Sequence, residues 1–512
     1  MDVLEYSEEN LLNIFSKASK AEKHVVESKS HLTFFYGYFG EIGAKTIVIE
    51  HDYIDHDYLD DYAEYYVRCF KDYSRKCTRL HFFKNEFTHE ELNFHIIDKK
   101  EDKLNQNILQ NNYLGFIVVK PLPITIIGRT CLTTYEHDGR RYFPIVRTYH
   151  VNLYGLKLEV RKSLAFQEQD TAVAACATSA LWSVFQGTGL LFHHAIPSPS
   201  EITHLATDNT SRDSRAFPSN GLRAIEMAQA IKAVKLEPHH IRVSNEYLLK
   251  TTLYAYLRAG IPLLLGFDIY SSSDSRLMGK HAVAITGYSL GGASTTPITT
   301  GTPHIHATRI DKIYVHDDQV GTFARMEFDG ERVIPNTEEQ PCLFSISTSW
   351  GGEGRHRAVP DILLIPLYNK IRIPFETIHD LIFAFDDVLR QLSPYSNEII
   401  PQQLEWDIYL TTVNELKSSI RRDGILPDVA HKVLFACLPK YIWRAQATFD
   451  KNKFIDLFFD ATDIEQGCIF LSAIDYSTLL KPYISTIMEN NNDFVEALRR
   501  NRSWQIYKSF SD

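Results

Sequence analysis

The pattern of apolar and polar positions divides the chain into three regions. Up to about residue 150, short β-rich runs such as residues 45–50 (KTIVIE), 114–123 and 124–135 predict strands. Residues 57–77 place aromatic side chains at helical spacing, with acidic residues first and basic residues last, which predicts a helix. We therefore expect residues 1–150 to form a mixed α/β domain.

Residues 151–358 alternate between helical and strand-like patterns. One apolar helix is predicted from Cys176, a second from a start signal at Ser200 and Glu201, and a third over residues 221–236. The apolar runs LLLGF, HAVAITGY and IYVHDD predict strands. This alternation predicts a central α+β domain.

The remaining region, residues 359–512, is predicted to be a third domain of mixed α+β structure. Residues 375–392 have strong helical periodicity, and residues 470–476 (FLSAIDY) form the second arm of a predicted hairpin. Neither this region nor residues 1–150 carries a motif that we can connect with chemistry.

Composition and charge exclude several classes of protein. The chain is 44% hydrophobic and 23% charged, as in ordinary globular proteins, and its net charge of −10 gives no basic footprint for nucleic acid or membrane surfaces. We find neither a signal peptide nor an apolar run of ~18 residues, and the seven scattered cysteines suit a reducing compartment. We therefore expect a cytoplasmic protein without nucleic-acid or membrane partners.

Three short segments carry the residue types of a cysteine nucleophile and its helpers. FQEQDTAVAACATSALW contains Gln169 and Cys176, HAVAITGY begins with His281, and IYVHDD ends with Asp317 and Asp318. A thiolate is the nucleophile, an imidazole accepts the thiol proton, and an acid on the far ring nitrogen fixes the tautomer. A glutamine amide can donate to the developing oxyanion. The chain order therefore predicts nucleophile, base, orienting acid and oxyanion donor.

These segments resemble the papain-like cysteine peptidases, closest in style to the bacterial group related to the leader-processing peptidases of bacteriocin exporters. The resemblance is carried by FQEQDTAVAACATSALW, LYAYLRAGIPLLLGF, GKHAVAITGY and DKIYVHDDQVG. It spans residues 166–326, roughly a third of the chain. It implies a papain-like domain over residues 151–358, with a cysteine-bearing N-terminal helix and an antiparallel sheet carrying the histidine and the acid, flanked by two mixed domains.

The resemblance also implies a role for each site residue. Cys176 would be the nucleophile, His281 the base, Asp317 the orienting acid and Gln169 the oxyanion donor. The implied activity is hydrolysis of an amide bond in a polypeptide, without a cofactor or a metal. The flanking domains would supply any protein partner.

Two of these assignments have competitors in the sequence. Gln167 competes with Gln169, and Asp318 competes with Asp317. Because side chains alternate along a strand, Asp317 shares a face with Val315 while Asp318 is expected to point away. We therefore predict that Asp317 orients the imidazole.

The surroundings of the cysteine differ from the family pattern. The sequence has Ala175 before Cys176 and Ala177 after it, and lacks the usual Cys-Gly pair. Asp170 could also cap a helix that starts at Thr171, which would place Cys176 in the second turn.

Other motifs suggest different chemistry. GYSLGG places Ser289 in a G-x-S-x-G pattern, as in serine hydrolases, followed in order by Asp317 and His356. However, the residues after Gly292 oppose the helix that such a nucleophile requires. A catalytically inactive papain-like binding module is a further alternative, and transglutamination or deamidation would use the same residues.

Three weaker features are assigned structural roles. TSWGG (residues 348–352) echoes a papain-type tripeptide without its asparagine and is interpreted as a turn. His193, His194 and His204 match no usual zinc spacing. The acidic residues 51–62 lack the pattern of a calcium loop and are interpreted as a solvated face.

Overall fold

The computed structural model describes residues 1–97, 104–170, 175–208, 221–292, 302–334, 342–350, 356–396, 398–423, 427–464 and 467–510. Its α-helices are α1 (Glu8–Ser19), α2 (Lys23–Glu27), α3 (Ser30–Ile42), α4 (His56–Glu64), α5 (His89–Ile97), α6 (Gln106–Asn112), α7 (Cys176–Phe192), α8 (Pro199–Thr207), α9 (Ala224–Ala233), α10 (Glu246–Leu257), α11 (Phe375–Leu392), α12 (Val413–Arg422), α13 (Pro427–Leu434), α14 (Leu480–Asn490), α15 (Asn492–Arg499) and α16 (Trp504–Lys508).

The first eleven strands are β1 (Asp2–Glu5), β2 (Thr46–Tyr53), β3 (Cys77–Phe83), β4 (Tyr113–Val119), β5 (Ile127–Leu132), β6 (Arg141–Tyr142), β7 (Arg147–Leu153), β8 (Leu156–Ser163), β9 (Leu236–Arg242), β10 (Leu263–Ser271) and β11 (Leu277–Leu290). The others are β12 (His304–Ile305), β13 (Ile310–Asp317), β14 (Gly321–Glu327), β15 (Arg332–Val333), β16 (Leu343–Phe344), β17 (Ile346–Ser347), β18 (His356–Tyr368), β19 (Glu405–Thr412), β20 (Tyr441–Phe449), β21 (Asn452–Asp460) and β22 (Phe470–Asp475). The protein is thus a mixed α+β structure with several antiparallel sheets.

The chain forms two compact units, where the sequence analysis expected three domains. The first contains residues 1–243, 260–290 and 311–366, and the second contains residues 244–259, 291–310 and 367–512. The expected boundary near residue 150 lies inside the first unit.

Contacts across that expected boundary explain why the first unit holds together. Phe166 exchanges two backbone hydrogen bonds with Thr130 of β5, at 2.7 and 2.9 Å. The aromatic rings of Tyr135 and Tyr314 also pack together, with centroids 6.0 Å apart. Backbone pairing and aromatic packing therefore join the N-terminal region to the central one.

The first unit contains two larger sheets. Strands β1 to β5 form an antiparallel sheet in chain order. The second sheet follows the order β10-β11-β13-β14-β17-β18-β9, with β6 paired to β11. Because β18 also pairs with β10, six of these strands form a closed ring. A closed ring leaves few unpaired strand edges.

Helix α7 is the buried helix of the first unit. Every residue from Ala177 to Gly189 is buried, including five polar ones, so the helix is packed on all sides. It packs against β11 and β10 of the ring. A Cβ atom on Gly187 would lie 2.9 Å from Cγ of Pro262, so glycine permits the close approach of the helix.

The second unit is built on a five-stranded sheet in the order β12-β19-β20-β21-β22. The predicted hairpin is confirmed, since β22 pairs antiparallel with β21. The predicted helix over residues 375–392 is also confirmed, as α11. Trp406 and Trp443 are fully buried in this unit.

Two predicted helices differ from those observed. The helix predicted over residues 57–77 ends at Glu64, because the chain then turns so that the hydroxyl of Tyr66 reaches the buried carboxylate of Asp170. The helix start predicted at Ser200 is wrong by two residues. Ser198 caps α8, with Pro199 in the first helical position, where proline is favoured.

The acidic stretch at residues 51–62 is not a solvated face. Asp55, Asp57 and Asp61 are all buried. Asp57 pairs with Arg129 at 2.5 Å, and Asp55 accepts a hydrogen bond from the backbone of Tyr58 as the N-cap of α4. The sequence pattern missed this because an opposite charge from β5 compensates the burial.

Candidate active site

Cys176 is the first residue of α7. The preceding residue, Ala175, has extended backbone angles and provides no side-chain cap. The first N–H groups of a helix have no partners within the helix, so this end carries partial positive charge. Asp170, the possible cap of an earlier helix start, instead accepts a hydrogen bond from the hydroxyl of Tyr66. Residues 171–174 lie outside the described part of the chain. The sulfur therefore lies in the first turn of α7.

His281 lies on β11, enclosed by aromatic rings. Its residue surface is 6% exposed. The ring of Phe267, its cross-strand partner on β10, is 5.4 Å away between centroids, and the ring of Trp350 is 4.8 Å away. Cys176 and His281 line the same cleft, and the Cys176 side chain is one of the groups that raise the pKa of the imidazole. The structure thus brings the predicted nucleophile and base together.

Two carboxylates face the same nitrogen of His281. Oδ1 of Asp317 lies 3.0 Å from Nε2, and Oδ1 of Asp318 lies 3.4 Å from it. The expectation that Asp318 points away is therefore wrong. The pairing register shifts after Val315 and β13 ends at Asp317, so strand alternation no longer determines the direction of Asp318.

Trp350 is a site residue that the sequence analysis missed. The predicted turn is confirmed at Ser349 and Trp350, while residues 351–352 lie outside the described ranges. The indole N–H of Trp350 donates to Oδ2 of Asp317 at 2.7 Å, and the backbone N–H of Gln319 donates to Oδ1 at 3.0 Å. Asp317 is thereby fixed on both oxygens.

The charges in this cluster are strongly coupled. Burial alone would lower the pKa of His281, but Asp317, Asp318 and hydrogen bonds to Asp317 and Cys176 together raise it well above its usual range. Burial opposes ionisation of Asp317, yet His281 and the hydrogen bonds from Trp350 and Gln319 keep its pKa low. Burial, reinforced by Asp317 and opposed by His281, raises the pKa of the Asp318 carboxyl to about 7.

A cleft of about 630 Å³ opens beside the sulfur. Its lining includes Gln169, Cys176 and His281, and continues to Met227 and Phe267. The other candidate oxyanion donor, Gln167, is buried, and its amide nitrogen has no hydrogen-bond partner in the described ranges. Of the two glutamines, Gln169 is the one that shares the cleft with the sulfur.

The serine alternative lacks this setting. Ser289 is buried within β11, where it pairs with Arg141 of β6. The serine alternative also requires Asp317, which contacts His281. Ser289 lies eight residues from His281 along the strand, a span of roughly 26 Å at the usual rise per residue. The stretch after Gly292 whose composition opposes a helix, residues 293–301, lies outside the described part.

Among the described residues, His193, His194 and His204 do not belong to a group of three potential metal ligands. Nε2 of His194 lies 2.9 Å from the hydroxyl of Thr188. Within the described ranges, His281, Asp317 and Asp318 are the one group of three whose potential metal-ligating atoms lie within 4.8 Å of one another. That group is the acid–base cluster itself.

Two comparisons, with protein-family models and with curated proteins, identify no relative. No protein-family model matches the chain, and no curated protein matches it.

Among the described residues, none of the helices combines the length and apolar character needed to cross a bilayer. All seven cysteines lie in the described part of the chain, and all are free thiols.

Proposed function

We propose that this protein is a cysteine peptidase or amidase that hydrolyses an amide bond in a polypeptide. One observation carries the proposal. Cys176 begins a buried helix and lines the same cleft as His281, whose Nε2 lies 3.0 Å from Oδ1 of Asp317. Nucleophile, base and orienting acid in this contact order are the arrangement of a cysteine hydrolase.

The proposed reaction follows from these positions. His281 takes the thiol proton of Cys176, and the thiolate attacks the carbonyl carbon of the substrate. The side-chain amide of Gln169 donates to the resulting oxyanion. The imidazolium then protonates the leaving amine, so that a thioester remains on Cys176. His281 next removes a proton from water, and the attack of that water releases the carboxylic acid and restores the thiol.

The surrounding architecture supports a papain-like catalytic region. A cysteine at the N-terminus of a buried helix packs against a ring of strands that carries the histidine and the acid. This is the arrangement that the resemblance implies. Trp350 adds an indole that contacts His281 and donates to Asp317, which shields that hydrogen bond from water.

Selective alkylation tests the proposed function without knowledge of the substrate. Treatment of the native protein with substoichiometric iodoacetamide near pH 6, followed by mass spectrometry of the peptides, should label Cys176 before the other thiols. Cys342, Cys437 and Cys468 are exposed and serve as internal controls. Cys176→Ala should lose the fast phase and keep the wild-type circular dichroism spectrum.

Two results would contradict the proposal. One is labelling of Cys176 no faster than that of the exposed thiols. The other is covalent labelling of Ser289 by a fluorophosphonate, which would favour the serine alternative.

Preincubation with EDTA should leave the alkylation rate unchanged. A changed rate would indicate that the cluster of His281, Asp317 and Asp318 binds a metal instead of a proton.

A further inference from the structure

Three consecutive residues of the N-terminal region contact both halves of the candidate site. Nζ of Lys29 pairs with Oε1 of Glu168 at 2.5 Å. Nε2 of His31 lies 2.8 Å from the backbone oxygen of Asp318, and the hydroxyl of Ser30 donates to the backbone oxygen of Gln319. One short stretch before and at the start of α3 thus connects two segments that are far apart in the chain.

The contact between Lys29 and Glu168 lies next to Gln169, the proposed oxyanion donor. Glu168 immediately precedes Gln169, and its side chain is 6% exposed. Its second oxygen accepts from the backbone N–H of Ile127 at 2.9 Å, and its own N–H donates to the oxygen of Ile127 at 3.1 Å. Lys29 supplies the positive charge for this carboxylate, and removing it would leave a buried charge unpaired.

The contact between His31 and Asp318 lies at the segment that carries the two acids. His31 is 4% exposed, and burial lowers its pKa, so the imidazole is neutral at neutral pH and donates from Nε2 to the oxygen of Asp318. The same helix also contacts the end of this turn. A Cβ atom on Gly321, where φ is +156°, would lie 2.3 Å from the ring of Phe34. The turn that carries both acids therefore rests directly on α3.

We propose that Lys29 and His31 are positioning residues for catalysis. Lys29 holds Gln169 in place through Glu168. His31 holds the two acids in place through the backbone of Asp318. This proposal rests on the proposed function of Cys176. It predicts that two residues separated by one position in the chain affect different steps. Lys29 should affect stabilisation of the oxyanion, and His31 should affect the thiolate–imidazolium pair.

Two probes separate these steps. Iodoacetamide reports the reactivity of the thiolate, because alkylation passes through no oxyanion. 4-Nitrophenyl acetate reports acyl transfer, since attack of the thiolate on the ester passes through a tetrahedral oxyanion and releases 4-nitrophenolate. The rates measured with Cys176→Ala are subtracted to remove the contribution of the other six thiols.

The variants are paired with conservative controls. Lys29→Met should lower acylation by about 10- to 100-fold and change alkylation by less than about twofold. His31→Leu should lower both rates by about 10-fold or more and shift the pH profile of alkylation. Lys29→Arg keeps the charge and His31→Gln keeps a donor at the position of Nε2, so both should retain near-wild-type rates. Thermal unfolding checks that each variant folds.

The outcomes distinguish this proposal from the proposed function. If wild-type Cys176 reacts no faster than an exposed thiol, the proposed function fails and the positioning proposal fails with it. If wild-type Cys176 reacts fast but Lys29→Met lowers alkylation as much as acylation, or either variant leaves both rates unchanged, only the positioning proposal is refuted. A loss of both rates in the conservative variants would also refute it.

Discussion

The two carboxylates on one imidazole predict a non-additive response to their removal. Asp317→Asn and Asp318→Asn each remove one acid, and the double variant removes both. With Asp318 half ionised near its pKa of about 7, the wild-type imidazolium faces roughly one and a half negative charges at pH 7. In Asp318→Asn the full charge of Asp317 remains. In Asp317→Asn the ionised fraction of Asp318 rises toward one, because Asp317 no longer opposes its ionisation.

The magnitude follows from the distances. Opposite unit charges 3.0 to 3.4 Å apart attract by about 5 kcal/mol at an effective dielectric constant of about 20. Loss of half a charge therefore costs the imidazolium about 2.5 kcal/mol, an alkylation rate lower by up to about 70-fold. Loss of both acids costs about 7.5 kcal/mol, which exceeds the sum of the single losses by up to about 2.5 kcal/mol.

The assay is the second-order rate of Cys176 alkylation by iodoacetamide at pH 7 in the four proteins. Glu50→Gln is the matched control, since it removes a carboxylate 3.3 Å from a different buried histidine, His81. It should leave the alkylation rate unchanged. If Asp318→Asn is silent and the double variant equals Asp317→Asn, Asp318 does not act on the imidazole and the reasoning fails.

Three further predictions concern the surroundings of the cluster. Trp350→Phe keeps a ring beside His281 but loses the donor to Asp317, so alkylation should fall by about 10-fold; an unchanged rate would mean that the indole N–H is dispensable. His316 is buried, and neither of its ring nitrogens has a hydrogen-bond partner in the described ranges. His316→Phe should therefore raise the free energy of unfolding, measured by chemical denaturation, by about 1 kcal/mol, and a lower value would contradict this. The pKa of Asp318 is higher in the folded state than in the unfolded state, so the wild-type protein loses stability as pH rises from about 4 to about 7. Asp318→Asn should avoid this loss, so its free energy of unfolding should rise relative to wild type across this range. A difference between the two proteins that does not change with pH would refute the assignment.

The sequence could predict the parts of the site that depend on residue type and chain order. Cys176, His281 and Asp317 were each identified from a short apolar segment, and each segment forms the expected helix or strand. Local periodicity determines these elements, because apolar runs of these lengths must be buried. Which elements pack together was expected only from the resemblance.

The features that the sequence could not predict depend on tertiary contacts. Asp318 reaches His281 because the strand ends one residue earlier, and a register shift has no sequence pattern. Trp350 occupies an ordinary turn, and only its neighbours give the indole a role. The acids of α4 looked solvated because the compensating charge of Arg129 lies on a distant strand.

The second acid affects how His281 can serve as both base and acid in the proposed reaction. Two fully ionised carboxylates would hold the imidazolium proton so firmly that protonation of the leaving amine would be slow. Asp318 avoids this, because its ionisation depends on the charge of the imidazole. When His281 releases its proton, the attraction that favours ionised Asp318 disappears, and Asp318 takes up a proton more readily. The negative charge around the imidazole thus rises when the imidazolium forms and falls when it is consumed.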